Sequence, residues 1–257
     1  MADERKSAAA RTRPTSITRL DKITLGELVA AYFAYPAIQV YIALTVICTA
    51  LALYLAAGPW LIAAAFVGGG LAYPFAWYLV HRFVLHGRFL YRSPYTAALW
   101  KRIHYDHHIN PNDLQVLFGS LYTTVPTIAV VMAPLGWLIG GPAGAAAALA
   151  AGFTMMCIYE FCHCIQHLSF KPKLKYLRRI KMRHMAHHFH YEGGNFGITN
   201  FGWDRLFGTL YNDPREVPRS ETVFNLGYTA EEAARFPWVA ELSPEANFGA
   251  ASEAGNL

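Results

Sequence analysis

Two long stretches of this chain carry no charge. Leu28 to Val80 is a run of 53 residues without Asp, Glu, Lys or Arg, and Leu114 to Tyr159 is a second run of 46. A bilayer core takes roughly 20 helical residues to cross, so each run is about twice too long for one crossing. Each reads as a helix that crosses, turns and returns. Gly58-Pro59 and Gly140-Gly141-Pro142 put helix breakers near the two midpoints. Spans are predicted at about 36–57, 60–80, 116–138 and 143–165, each near the 33 Å length that a 22-residue helix provides. Two buried hairpins of a soluble bundle are the alternative, but neither run shows a polar outer face. Charged residues are only 15% of the chain, against about a quarter in soluble domains.

The basic residues orient these spans. Of 22 Lys and Arg, six precede the first span, five lie between the second and third, eleven follow the fourth, and the two turns have none. The positive-inside rule makes the charged face cytoplasmic, together with both termini. The N-terminal Met-Ala-Asp-Glu-Arg lacks a signal-peptide pattern. The expected fold class is therefore an all-α membrane protein with four transmembrane helices in two hairpins and a cytoplasmic helical cap. Residues 1–27 read as an N-terminal tail, 28–212 as the membrane domain, and 213–257 as a C-terminal cap and tail. In the last part, Thr229 to Glu232 has the spacing of a capping box opening a short helix. High alanine content and the short N-terminal segment suggest a bacterial inner membrane. Cys48, Cys157, Cys162 and Cys164 read as apolar filling on a reducing face, with no disulfide required.

All 11 histidines fall between His81 and His190, in four groups and one remainder. The groups are His81 and His86; His104, His107 and His108; His163 and His167; and His184, His187 and His188. Offsets of three and four return to one helix face, so each of the last three groups forms a cluster. His81 and His86 are five apart, about 140° on an ideal wheel, and so serve different metals or flank a distortion. Ten imidazoles on one membrane face would repel if protonated, and buried without partners would leave polar nitrogens unsatisfied. Metal ions remove both costs, since neutral imidazole ligates iron, copper, nickel and zinc. Ten donors exceed one ion's needs; two ions would take about five each. His190 lies off the ligand face and receives no ligand role.

Glu160 precedes His163 by three residues and shares its helix face. It reads as a partner for a ligand N–H or a proton donor near the metal, with a solvated helix-end carboxylate as the bland alternative. The run from Lys171 to Arg183 holds seven basic residues interleaved with Leu174, Tyr176, Leu177 and Ile180. Such a segment suits an anionic lipid surface or an acidic partner protein, and no nucleic-acid motif accompanies it.

The runs His81-Arg82-Phe83-Val84-Leu85-His86, His104-Tyr105-Asp106-His107-His108 and His184-Met185-Ala186-His187-His188 resemble the fatty acid hydroxylase/sterol desaturase superfamily. The later runs Asn195-Phe196-Gly197-Ile198-Thr199 and Trp203-Asp204-Arg205-Leu206-Phe207-Gly208-Thr209 are similar to the signature after its last histidine box. The likeness covers about residues 75–212 and is closest to fatty acid 2-hydroxylases. It implies a membrane di-iron enzyme that uses O2 and two electrons to hydroxylate a lipid acyl chain beside its carboxyl or amide carbon. The ten box histidines match the family's ligands, with two Fe ions as cofactors and zinc as a substitute in purified protein. Tyr159 and Glu160 match a Tyr-Asp pair implied to be catalytic, the Glu being a departure, as is the short loop between His188 and Asn195. Asn195 and Asp204 stand behind the ligands, Asp204 holding a ligand histidine or pairing with Arg205. Electrons are expected from a separate protein, cytochrome b5-like or ferredoxin-like. The rival enzyme is a sterol or polycyclic-lipid desaturase or methyl oxidase. The rival outside enzymes is a metal- or haem-binding membrane protein; a transporter would place ionisable residues within its spans.

Overall fold

A computed structural model of the protein describes residues 19–55 and 58–243. The expected tail over residues 1–18, the loose end from 244 and the last two residues of the first span lie outside them. Among the described residues the chain is helical with no strand; one isolated bridge pairs Arg19 with Asp113. Helix α1, Leu25–Ala34, opens on a capping box: Thr24 Oγ1 accepts from the Glu27 N–H, and the Glu27 carboxylate accepts from the Thr24 N–H. Helices α2, Pro36–Tyr54, and α3, Pro59–Leu79, both start with proline at the first position, where no donor is lost. Helix α4, Leu121–His167, is 47 residues long, but Gly140 and Gly141 leave helical geometry inside it. Gly141 has φ 60°, which a glycine adopts without a Cβ penalty. Pro142 then restarts the helix.

The chain folds back at this break. A Cβ built on Gly136 would lie 2.1 Å from the Gly144 carbonyl oxygen, and one on Gly152 would lie 2.7 Å from Ile128. Eight residues of straight helix would separate Gly136 from Gly144 by about 12 Å. The two arms of α4 therefore run antiparallel with their backbones in contact, which only small residues permit.

Three helical segments are long and apolar enough to cross a membrane: Pro36–Tyr54, Pro59–Arg92 and Leu114–His167. The third contains the Gly140-Gly141 reversal, so the chain has four long arms. The expected first hairpin is not packed on itself. Helices α2 and α3 each pack against α4 rather than against each other. Ala52 and Ala65 share a buried cluster with Ala146 and Ala147, and the Gly69 backbone sits against Ala148. Small side chains on α4 thus accept two helices at close range. The outer faces carry exposed apolar residues such as Leu71, Val130 and Leu138. Tyr54, Trp60 and Trp137 are exposed near the turn end.

Beyond the other end lies a cap. Helix α5, Lys175–Phe189, and helix α6, Gly202–Leu206, close over the bundle, and Trp203 of α6 lies against Phe75 of α3 with ring centroids 4.4 Å apart. A separate aromatic core of Tyr91, Trp100, Tyr105 and Tyr228 ties the segment after α3 to the C-terminal residues. Leu20, ahead of α1, is fully buried, and its N–H donates to the Asn112 carbonyl at 2.8 Å.

Gly136→Ala is expected to destabilise the protein by about 1–3 kcal/mol through overpacking. Gly70→Ala, where an added Cβ meets nothing within 4 Å, should leave the thermal midpoint in detergent unchanged or raised.

Candidate metal centre

The ten box histidines come together where the long helices meet the cap. Nine are buried and His86 is partly buried. They arrive from four segments: the continuation of α3, the segment before α4, the end of α4, and α5. Two departures from α-helical winding set their directions. Val80–Leu85 is a π turn, and the His86 N–H donates to the His81 carbonyl at 3.1 Å. The wider turn brings residue i+5 back over residue i, so the two rings lie 5.0 Å apart and face one cluster. Of the two expectations for this pair, a distortion between them is what the backbone adopts. Lys101–Tyr105 is a second π turn, immediately before His107 and His108.

The donors sort into two neighbouring clusters. His107, His163, His167, His184 and His188 can each offer a nitrogen within 4.8 Å of all the others, and so can His81, His86, His104 and His187. His108 joins His187 and His188 in a third, overlapping set, and its Nε2 is 3.1 Å from that of His104. The boxes expected to act as single units are therefore divided. His104 and His107 point to different clusters, and so do His187 and His188.

These nitrogens fit a metal better than they fit one another. The His104 Nε2 lies 3.1, 2.9 and 3.1 Å from the Nε2 atoms of His81, His86 and His108. One ring nitrogen carries at most one proton, so it cannot bond all three. His107 and His163, and His167 and His184, approach Nε2 to Nε2 at 3.0 Å each. The His187 Nε2 and both His188 nitrogens are buried with no hydrogen-bond partner among the described residues. Nitrogens about 2.1 Å from a shared ion and at right angles to one another are about 3.0 Å apart, which is the observed spacing. Burial pushes His104, His107, His108, His184, His187 and His188 well below the ordinary histidine value, His108 to about 3, and the neighbouring imidazoles push most of them further. Both effects favour the neutral imidazole, the form that ligates.

Behind the rings stand backbone carbonyls. His81 Nδ1 donates to the Phe196 carbonyl at 2.6 Å, His187 Nδ1 to Gly194 at 2.7 Å, and His108 Nδ1 to Val223 at 2.8 Å. Each bond places the proton on Nδ1 and leaves Nε2 as the free lone pair. Asp204 does not hold a histidine and does not pair with Arg205. Its Oδ1 accepts from the Phe196 N–H at 2.7 Å and the Thr209 hydroxyl at 2.9 Å, and its Oδ2 from the Gly197 N–H at 2.9 Å. It fixes the loop whose Phe196 carbonyl meets His81. Asn195, at φ 56°, accepts from the Tyr211 N–H and donates to the Tyr211 carbonyl, closing the same loop. Nothing in a sequence marks a carbonyl as a ligand's partner, so this layer was not legible beforehand.

Glu160 is buried and also holds no histidine. Its Oε1 accepts from the Gly119 N–H at 2.9 Å, and its Oε2 has no partner among the described residues. Tyr159 packs edge-on against Trp77, with centroids 5.4 Å apart. Both line a cavity of about 290 Å³ whose wall includes His81, His104, His107 and His163. The remaining wall is mainly apolar, with Val84, Leu85, Leu99, Ile103 and Leu117. His190 turns away from both clusters, and its Nε2 donates to the Val217 carbonyl at 2.9 Å.

Long apolar helices ending in a cluster of ten histidines, nine of them buried, define a histidine-box membrane protein. Residues 66–209, more than half of the chain, match the fatty acid hydroxylase family, and the chain belongs to it. Over 149 residues it is 33% identical to a fatty acid 2-hydroxylase of Rattus norvegicus, covering 56% of this chain and 39% of that protein. It is 30% identical over 152 residues to the dihydroceramide fatty acyl 2-hydroxylase FAH2 of Arabidopsis thaliana, covering 55% of this chain and 58% of that one. It thus spans about two fifths to three fifths of these relatives. The solved structure of full-length scs7p, with only its hydroxylase domain visible, aligns with a TM-score of 0.61 at 26% identity over 74% of this chain and 69% of that one. The apolar helices and the family fit an integral membrane protein. These relatives are eukaryotic and lend no support to the bacterial membrane expected from composition.

Asp204→Ala should free the Phe196 carbonyl and weaken metal retention about 10-fold or more. Metal content after graded chelator treatment of the purified protein measures it.

Proposed function

We propose that the chain is an integral membrane lipid hydroxylase of the fatty acid 2-hydroxylase type. The observation that carries this reading is the single cavity onto which both histidine clusters open. His81 and His104 come from one cluster, His107 and His163 from the other, and the remaining lining is mainly apolar. At about 290 Å³ the cavity is near the roughly 300 Å³ lower end for small-molecule pockets. It has room for the reacting part of an acyl chain but not for a whole lipid. The likeness to fatty acid 2-hydroxylases supports this substrate over a sterol or other polycyclic lipid.

In this reading His107, His163, His167, His184 and His188 hold one iron ion. His81, His86, His104 and His187 hold the second, with His108 at the junction. Bound iron would supply the activation of O2 with two electrons from a redox partner of cytochrome b5-like or ferredoxin-like type. The balance is one C–H bond, O2, two electrons and two protons in; one C–OH and one water out. The protein's own residues do the rest. Val84, Leu85 and Ile103 hold the chain by apolar contact and keep water out. Tyr159 and Glu160 form the polar part of the wall, and the unpartnered Glu160 Oε2 offers a bond to the carboxyl or amide end of the substrate. Anchoring that end fixes which carbon reaches the histidines.

The four long arms each cross the membrane, with the exposed Tyr54, Trp60 and Trp137 at one interface. The histidine cap and both termini lie on the basic, cytoplasmic side.

Incubating the protein in membranes with acyl lipid, O2 and a reductant is expected to add one oxygen to the chain, read by mass spectrometry. A product lighter by two hydrogens would overturn hydroxylation in favour of desaturation. Replacing any one of the ten box histidines with Ala should abolish turnover. Val84→Trp, at the partly exposed rim of the cavity, should lower turnover at least about tenfold with metal content unchanged.

A further inference from the structure

The family match ends at residue 209, yet one partner of a box histidine lies beyond it. His108 stands at the junction of the two clusters, and its Nδ1 donates to the Val223 carbonyl. The segment carrying Val223 is pinned to the end of α5 by four hydrogen bonds. The Ser220 N–H donates to the His190 carbonyl at 2.8 Å, and His190 Nε2 donates to the Val217 carbonyl at 2.9 Å. The Ser220 and Thr222 hydroxyls donate to one carboxylate oxygen, Glu192 Oε1, at 2.9 and 2.6 Å. Glu192 is itself buried. Among the described residues it forms no ion pair, and its carboxylate holds these two hydroxyls.

We propose that residues 217–223 complete the metal centre by fixing His108, and that Glu192 is the positioning residue that holds them in place. The inference rests on reading the histidines as metal ligands. The chain of contacts runs from Glu192 to the Thr222 hydroxyl, to the adjoining Val223 carbonyl, to His108 Nδ1. With the carbonyl fixed, His108 keeps its proton on Nδ1 and its Nε2 lone pair toward His104. With the carbonyl free, the imidazole can rotate or change tautomer, and its donor is lost. The same arrangement serves His81, where Asp204 fixes the Phe196 carbonyl. Two buried carboxylates thus act on two ligands through loop backbone, one inside the family-matched region and one next to a segment outside it.

The test uses the full chain in detergent, loaded with Co2+ and titrated with a chelator. Glu192→Ala and the nearly isosteric Thr222→Val are each expected to weaken cobalt retention about 10-fold, the low end for residues behind a ligand. Each should also shift the visible bands of the cobalt form. Thr222→Ser, which restores the hydroxyl, should return both to wild-type values. In a His108→Ala background, Glu192→Ala should weaken retention no further, because its partner is gone. Equal weakening by Glu192→Ala with and without His108 would assign it a general structural role and overturn the inference. A wild-type chain that keeps cobalt alongside unchanged Glu192→Ala and Thr222→Val proteins would overturn the inference alone. A wild-type chain that keeps no cobalt would overturn the metal reading and this inference with it. Where Glu192→Ala fails to fold, Thr222→Val decides the outcome.

Discussion

Imidazole nitrogens held about 3 Å apart inside a protein, with too few protons to bond one another, can all be satisfied by a cation among them. Such nitrogens would otherwise lose their hydration for nothing, at a cost of roughly 1–3 kcal/mol for each unsatisfied group. His104, with three ring nitrogens around its own Nε2, shows the constraint most sharply. The elements around it can be understood as means of holding that arrangement. The long helices bring His81 and His163 to one level, the π turns aim His86 and His107, and the cap closes over the remainder.

The close packing of α4 on itself contributes from the opposite end. Gly136 and Gly144 let the two arms touch, and α2 and α3 then flank α4 through Ala52, Ala65 and Gly69. With no water inside a bilayer to drive apolar association, such contacts depend on backbone proximity rather than on large side chains. The result is a closely packed support beneath the histidines that follow α3 and those that end α4. Precise donor geometry at one end of the bundle follows from small residues at the other.

Much of this could be read from the chain. The uncharged runs and the Gly-Gly-Pro break marked the long helices, and the four histidine groups marked the site. The partition of the histidines could not be read. At the first two boxes it depends on two π turns, where wheel arithmetic assumes 3.6 residues per turn, and at the last box on which neighbours each face of α5 meets. An uninterrupted wheel puts His104 with His107 and separates His81 from His86; the structure does the reverse. The packing of α2 was hidden for another reason, since a helix apolar all round offers no stripe to say which side is buried. The partners of the ring N–H groups were sought among side chains, in Asp204 and Glu160. For His81, His108 and His187 they are main-chain carbonyls, and Asp204 acts one step further out through the Phe196 loop.

The division of the boxes has one more consequence. His187 and His188 are consecutive residues that face different clusters, and their Cα atoms are joined across a single peptide at about 3.8 Å. His104 and His107 straddle the same boundary less than one helical turn apart. The spacing between the two clusters is therefore bounded by covalent geometry, since the backbone fixes where both sets of side chains start. A centre joined by a bridging carboxylate can breathe as its charge changes, because the bridge can shift. Here both clusters hang from the same stretches of backbone, so their separation can change only as far as the histidine side chains rotate.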